Sequence, residues 1–362
     1  MIYPIKSLRT PNVTTTSAYR YTQHKNASLP KFLHTNSRFF TQAFCFFIFF
    51  HYLCIKIERS PIGDQKYMKH IAFIINPISG AKRLQQVKRQ LPELVNQILD
   101  HEQWQPTLVY TTHAGHATEL AQQFAHGGFD AVVSVGGDGT VNEVARGLRD
   151  TTTALGILPM GSGNGLARHL HIPMNTHKAI ALLNNCRTID IDYGLANKQL
   201  FVCTCGAGLD AEVADRFAHS AQRGFMTYLQ NIIHLVFTYK AQTYHISGDG
   251  ISETRKAFLV TFANANQWGN AARIAPRASL QDGKMDIVLM SPYALWDCLP
   301  LAVRLFAGTI DRSPLIKTLR AGDITLQRES AAPFHIDGDP VDAGKDIHIR
   351  IIQGGLKALV AV

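Results

Sequence analysis

The sequence predicts an α/β protein of two domains, a parallel sheet flanked by helices and then a β-sandwich. Two textures and one turn carry that expectation. Between residues 68 and 192, short apolar β-branched runs alternate with segments of helical periodicity, and several runs end in small-residue loops. This is the pattern of a parallel sheet that receives its ligand at the carboxyl ends of the strands. Past residue 193, strand-like runs follow one another with only two long helical stretches between them, over 225–239 and 294–307, as in a sandwich. The turn is Gly136-Gly137-Asp138-Gly139-Thr140, which directly follows the apolar run 131–135.

At 362 residues the chain exceeds the roughly 100–200 residues of a single domain. The segments expected are an extension over 1–67, an α/β domain over 68–192 and a β-rich domain over 193–362, whose final strands are free to return to the first domain. The formal charge of +9 is concentrated in the extension, which holds nine Lys and Arg against Glu58 and Asp64. The remainder has 27 basic and 25 acidic residues, which gives no support for a nucleic-acid footprint. The six cysteines lack paired zinc-type spacing, so they read as reduced structural thiols, and Cys203 and Cys205 are expected on one face of a strand. The run 46–55 is apolar but interrupted by His51, short of the ~20 residues of a membrane span, and no small-residue cleavage pattern marks a signal peptide. The functional chain is therefore read as beginning at Met68, after a weakly ordered extension.

From Met68 onward the elements follow in order. Residues 70–75 form an apolar strand closed by Asn76-Pro77-Ile78-Ser79-Gly80, a turn by composition. Leu84, Val87, Leu91, Leu94, Val95 and Ile98 recur at helical spacing, and Pro92 marks a kink or break. A strand over 107–111 ends at Thr111, and a helix over 115–125 leads to the strand at 131–135. After it, Thr140 with Glu143 fits a capping box opening a helix. Residues 154–158 form another strand, closed by Pro159-Met160-Gly161-Ser162-Gly163-Asn164-Gly165 and a helix through Leu170.

The loops 76–80, 136–140 and 161–165, with Thr111 beside them, would line one crevice. Glycines let a backbone approach a ligand closely, and amides at a helix start present the positive end of the dipole, so the turn suits phosphate. Asp138, a carboxylate beside that phosphate, is read as organising Mg2+ and its waters. A dinucleotide fingerprint does not fit, because Asn142 stands where its third glycine belongs. No glycine loop is followed by Lys-Ser or Lys-Thr, which excludes a P-loop. In the second domain, strands are expected over 201–204, 243–247, 258–263, 285–290, 324–327, 334–336, 347–352 and 356–360. Asp282-Gly283 and Asp337-Gly338 between them are hairpin-turn chemistry. Asp337, at a strand tip that could face the interdomain cleft, can also serve as a general base.

The order Asn-Pro-x-Ser-Gly, Gly-Gly-Asp-Gly-Thr-x-Asn-Glu-Val, Pro-x-Gly-Ser-Gly-Asn with Leu-Ala-Arg, and a late Asp-Gly-Asp resembles the diacylglycerol kinase catalytic-domain family, over residues 68–362. That family includes bacterial lipid kinases, sphingosine kinases and ceramide kinases. The resemblance implies an ATP-binding α/β domain like that of NAD kinases, a sandwich domain that helps bind lipid, and transfer of the γ-phosphoryl of ATP to a lipid hydroxyl. By position, Asn76, Pro77, Ser79, Gly80, Thr111, Gly136, Gly137, Gly139, Thr140, Asn142, Glu143, Gly161, Ser162, Gly163 and Asn164 resemble nucleotide contacts, with Asp138 among them and Asp337 as the base. Asp282, with backbone oxygens of Ser279 and Lys284, resembles a structural Mg2+ site of the bacterial branch. The implied setting is cytoplasmic, at a membrane surface that supplies the lipid, with a homodimer left open. Gly-Ser-Gly-Asn-Gly-Leu-Ala-Arg168 leans toward the sphingosine-kinase spelling, Asp339 replaces a usual Glu, and Gln281 replaces an Asp. An NAD kinase shares the Gly-Gly-Asp-Gly-Thr turn but not the later motifs. A silent binding protein would need neither Asp138 nor Asp337.

Overall fold

The computed structural model describes residues 68–80, 82–218, 235 and 238–362. The extension, its apolar run at 46–55 and most of the helical stretch expected over 225–239 lie outside the described residues. Strands and helices are numbered along the chain.

The first domain is built from β1 (Lys69–Ile75), α1 (Lys82–Ile98), β2 (Trp104–Tyr110), α2 (His116–His126), β3 (Ala131–Gly136), α3 (Asp138–Leu148), β4 (Ala154–Pro159), α4 (Gly165–His169) and α5 (Thr176–Asn184). β1 pairs in parallel with β2 and β3, and β3 with β4. Their apolar runs are continuous because helices cover both faces, and every residue of β3 and β4 is buried. Pro92 lies inside an unbroken α1, where its neighbour Leu91 and Val95 are buried in the core. The capping box is not formed. α3 starts at Asp138 with Gly137 as its N-cap, so Thr140 and Glu143 already lie inside the helix and turn to other partners.

The chain then enters β5 (Cys186–Ala196) and β6 (Gln199–Phe201); the boundary expected at 192 falls inside β5. There follow β7 (Thr204–Gly208), α6 (Leu209–Ala218), β8 (Gln242–Gly248), β9 (Ile251–Ala257), β10 (Leu259–Ala263), β11 (Met285–Met290), α7 (Cys298–Ala307), β12 (Ile316–Ala321), β13 (Asp323–Arg328), β14 (Phe334–Ile336), β15 (Asp339–Val341) and β16 (Asp346–Ala361). One sheet has the order β12-β11-β10-β7-β14-β15. Its inner face packs on β8, β13 and the first half of β16 through Phe201, Tyr244, Phe262, Ile287, Leu326, Phe334 and Ile349, which makes a sandwich. The other sheet runs β2-β1-β3-β4-β16-β13-β8-β9, so a single sheet serves both domains and β16 is the strand that joins them. β16 pairs in parallel with β4 near Ala358 and antiparallel with β5 and β13.

The strand expected over 201–204 is interrupted at Val202 and Cys203, because their amides donate to the Asp337 carboxylate instead of to a neighbouring strand. The break also separates the two thiols: Cys203 packs in the core of the first domain and Cys205 in that of the sandwich. Among the described residues, no helix is long and apolar enough to cross a membrane.

Candidate active site

Three loops at the carboxyl ends of β1, β3 and β4 meet backbone to backbone. A Cβ placed on Gly161 would lie 2.5 Å from the Cα of Gly137, and one on Gly80, where φ is +84°, would lie 2.4 Å from the carbonyl of Met160. Only glycine permits that approach. We expect Gly161→Ala to force the two loops apart and to lower turnover about 100-fold, the rate cost of an ångström-level misplacement of reacting groups. Steady-state kinetics test this, and unchanged turnover would show that the contact does not shape the site.

The first loop is held from beneath. Lys88 of α1 is 3% exposed and donates to Asn76 O, Ser79 O and Ser79 Oγ, each at 2.6 Å. Three ammonium hydrogens meet three acceptors. Burial pushes its pKa down to about 8, so the group remains protonated at neutral pH and loses one donor as pH rises through that value. The nucleotide KM should therefore rise between pH 7 and 9 in the native protein. Lys88→Met, which has nothing to titrate, should show a raised and flat KM; a native profile equally flat would sink the assignment. The sequence reading missed Lys88, since its helical spacing marks only a helix face. Above it, Asn76 Nδ2 donates to Thr140 Oγ1 at 3.2 Å and ties the first loop to the second.

Asp138 links the second loop to the third. Its Oδ1 accepts from Gly165 N–H at 2.7 Å and its Oδ2 from Asn164 N–H at 2.8 Å. Asn164, left-handed at φ 53°, closes that loop on itself by accepting from Gly161 N–H and donating to Gly161 O, both at 2.9 Å. Burial raises the Asp138 pKa, the two amides oppose this, and the charge of Asp337 adds to the rise. With its own backbone amide also directed at the carboxylate, Asp138 keeps about one of the four or so acceptor positions of an ionised carboxylate open.

Asp337 is the carboxylate with no open position. It sits with Gly338 in a two-residue hairpin, φ 49° and 90°, between the paired residues Ile336 and Asp339, as a type I′ turn requires. Its Oδ1 accepts from Cys203 and Thr204 N–H at 2.8 and 3.0 Å, and its Oδ2 from Val202 N–H at 2.9 Å and Asn142 Nδ2 at 2.7 Å. Burial raises its pKa against these donors. Asn142 also donates to Leu200 O at 2.9 Å, so its amide hydrogens tie α3 to the second domain. Glu143 accepts from Ala117 N–H at 3.2 Å in the first turn of α2. Thr111 ends the edge strand with its amide on Ile75 O, while Pro77 and Ser162 are exposed at the loop tips. Behind the hairpin, Asp210 accepts from Thr261 Oγ1 at 2.8 Å and pairs with His335 Nε2 at 3.1 Å.

The cation group expected here takes the Asp282 carboxylate with the backbone oxygens of Ser279 and Lys284. One Asp282 oxygen pairs with the Arg320 guanidinium and the other accepts from Lys284 N–H at 3.1 Å, while Ser279 Oγ accepts from Gln281 N–H. Among the described residues there is no cluster of three or more His, Cys, Asp or Glu side chains suited to a metal ion.

Phosphate-shaped loops beside carboxylates of raised proton affinity are the equipment of phosphoryl transfer, and the class that fold and site define is a phosphotransferase. Residues 70–196 match the diacylglycerol kinase catalytic domain, and residues 203–357 the YegS C-terminal NAD kinase beta sandwich-like domain. The chain belongs to the diacylglycerol kinase catalytic-domain family of lipid kinases. It is 27% identical to a diacylglycerol kinase of Bacillus subtilis over 75% of this chain and 90% of that protein. It is also 27% identical to a protein of Yersinia enterocolitica described as a YegS-like lipid kinase, over 68% and 84% of the two chains. A diacylglycerol kinase structure from Bacillus anthracis superposes with a TM-score of 0.60 at 20% identity, covering 81% of this chain and 97% of that one.

Proposed function

We propose that this kinase transfers the γ-phosphoryl group of ATP, with Mg2+, to a hydroxyl of a diacylglycerol or sphingoid-type lipid, and that Asp138 accepts the hydroxyl proton while Asp337 positions the site. The observation that carries the proposal is the unequal saturation of the two carboxylates. Asp337, with four donors, could take a proton only by releasing one of them. Asp138 keeps an open position in a half-buried turn, and its raised pKa brings it closer to the working pH, as a general base requires. The glycine-loop amides and the start of α3 favour phosphate oxygens. Mg2+ would be held by phosphate oxygens and its own waters and would meet Asp138 only through those waters, since direct coordination would occupy the lone pairs that take the proton. When bound, Mg2+ neutralises charge on the transferring group.

The test is the purified full chain with labelled ATP, Mg2+ and a panel of diacylglycerol, monoacylglycerol, sphingosine and ceramide in detergent micelles, with NAD as a soluble acceptor. Label in one lipid supports the proposal and names the acceptor. Label in NAD alone would replace it with an NAD kinase, and label in none would leave a binding protein.

A further inference from the structure

The sheet that carries Asp337 holds a further carboxylate, one that takes no part in proton transfer or in the latch between loops. Asp210, at the start of α6, has a side chain 9% exposed, and His335, two residues before Asp337, one 3% exposed. Thr261 of β10, Gly206 of β7 and His335 of β14 stand in a single row across three adjacent strands. Asp210 lies across that row. Its Oδ2 accepts from Thr261 Oγ1 at 2.8 Å and from His335 Nε2 at 3.1 Å, while its Oδ1 accepts from Ala211 N–H at 2.9 Å. The crossing is possible because the middle residue has no side chain: a Cβ on Gly206 would stand 2.9 Å from Asp210 Oδ2 and 3.0 Å from His335 Nε2.

Stability alone does not account for this arrangement. A buried carboxylate is costly to desolvate, and an apolar group of the same volume is often the more stable choice. His335 adds to the cost. A carboxylate oxygen only accepts, so the hydrogen belongs on Nε2, and Nδ1 is buried with no hydrogen-bond partner among the described residues. The row supplies placement instead. β14 and β15 have three residues each and lie at the edge of the sheet, and so short a hairpin is marginal by itself. Yet its turn presents Asp337, whose carboxylate holds the amides of Val202, Cys203 and Thr204 and the side chain of Asn142. A shift of the stem along β7 would withdraw all of these contacts together.

We propose that Asp210 and His335 are positioning residues for phosphoryl transfer. By reaching from β10 over Gly206 to β14, Asp210 fixes the stem of the hairpin, and through Asp337 and Asn142 it fixes the first turns of α3, where Asp138 lies. The proposal rests on the reading of Asp337 as the residue that positions the site.

The test measures lipid phosphorylation by the full chain in detergent micelles, with ATP varied, for His335→Leu and His335→Gln. Leucine fills the place without a donor, whereas glutamine restores an N–H near the position of Nε2. His335→Leu should lower kcat on the order of 100-fold, the rate cost of an ångström-level misplacement, at an unchanged nucleotide KM, because the nucleotide loops are held by residues of the first domain. His335→Gln should recover most of that loss. A purely structural role predicts a different split, in which Tm falls while kcat of the folded enzyme holds. If His335→Leu does not fold, Thr261→Val replaces it, since it removes the other donor from the same oxygen at nearly constant volume; kcat should then fall about tenfold, the scale of one lost hydrogen bond to a charged group. Native kcat in the folded variant, equal losses in His335→Leu and His335→Gln, or a loss confined to KM would each overturn the proposal. Native turnover in Asp337→Asn would remove the reading on which it rests. An impaired Asp337→Asn beside a fully active His335→Leu would remove the proposal alone.

Discussion

Asp138→Asn is expected to lower lipid phosphorylation by about 10²–10⁴, the usual contribution of a positioned general base. The asparagine keeps an oxygen for one of the two loop amides but turns an NH2 toward the other, Asn164 N–H at 2.8 Å or Gly165 N–H at 2.7 Å. It therefore removes the base and loosens the latch between loops, at a cost of about 1–3 kcal/mol for the stranded donor. Nucleotide affinity and turnover measured on the same variant separate the two effects: a loss confined to affinity would leave only the latch. The native pH profile supplies a second check. Burial raises the Asp138 pKa, so the ionised form needed to take a proton is lost at a higher pH than for a solvated aspartate. The acid limb of kcat/KM should lie correspondingly high and should be absent from the residual activity of Asp138→Asn. Near-normal turnover in the variant would transfer the proton to another group.

Asp337→Asn should damage the fold as well as the chemistry. Asparagine suits the left-handed turn as well as aspartate does, being one of the residues favoured before glycine in such hairpins. It cannot accept four hydrogen bonds, and its NH2 would face either Cys203 and Thr204 N–H or Val202 N–H and Asn142 Nδ2. Asn142 cannot simply be reversed, because its NH2 also serves Leu200 O. We expect a loss of about 2–4 kcal/mol from the donors left unpaired, seen as a fall of about 5 °C or more in Tm, with activity lost alongside. If Asp337 acts only as a turn residue, neither quantity will move. If it is the proton acceptor and nothing more, turnover will collapse at an unchanged Tm.

The glycine loops and the alternation of strands and helices were legible because both are local. A continuous apolar run such as 131–135 and a turn rich in glycine carry their meaning in adjacent residues. What could not be read was set by distant partners. The sandwich carboxylate, Asp337, takes the amides of Val202 and Cys203 and so ends a strand that local propensity favours. Asn142 and Glu143 also hold Leu200 O and Ala117 N–H, partners that no spacing announces. Lys88 was hidden for a similar reason, since the loop it supports lies a turn or more before it in sequence. Asp282 pairs with Arg320, which comes from the strand β12 and is not announced by the turn that holds Asp282.

The shared strand β16 limits how the molecule can move. Enzymes that enclose a reaction by swinging one lobe over another need a flexible strap between the lobes. Here the lobes are joined by a sixteen-residue strand that pairs with β13 at its start and meets β4 at Ala358 near its end, so swinging them would strain the pairings at both ends of one strand. Shielding the transferring phosphoryl group from water is then left to short segments at the sheet edge. Acceptor entry becomes a matter of parting a few loops, with the body of the protein as a stationary anvil.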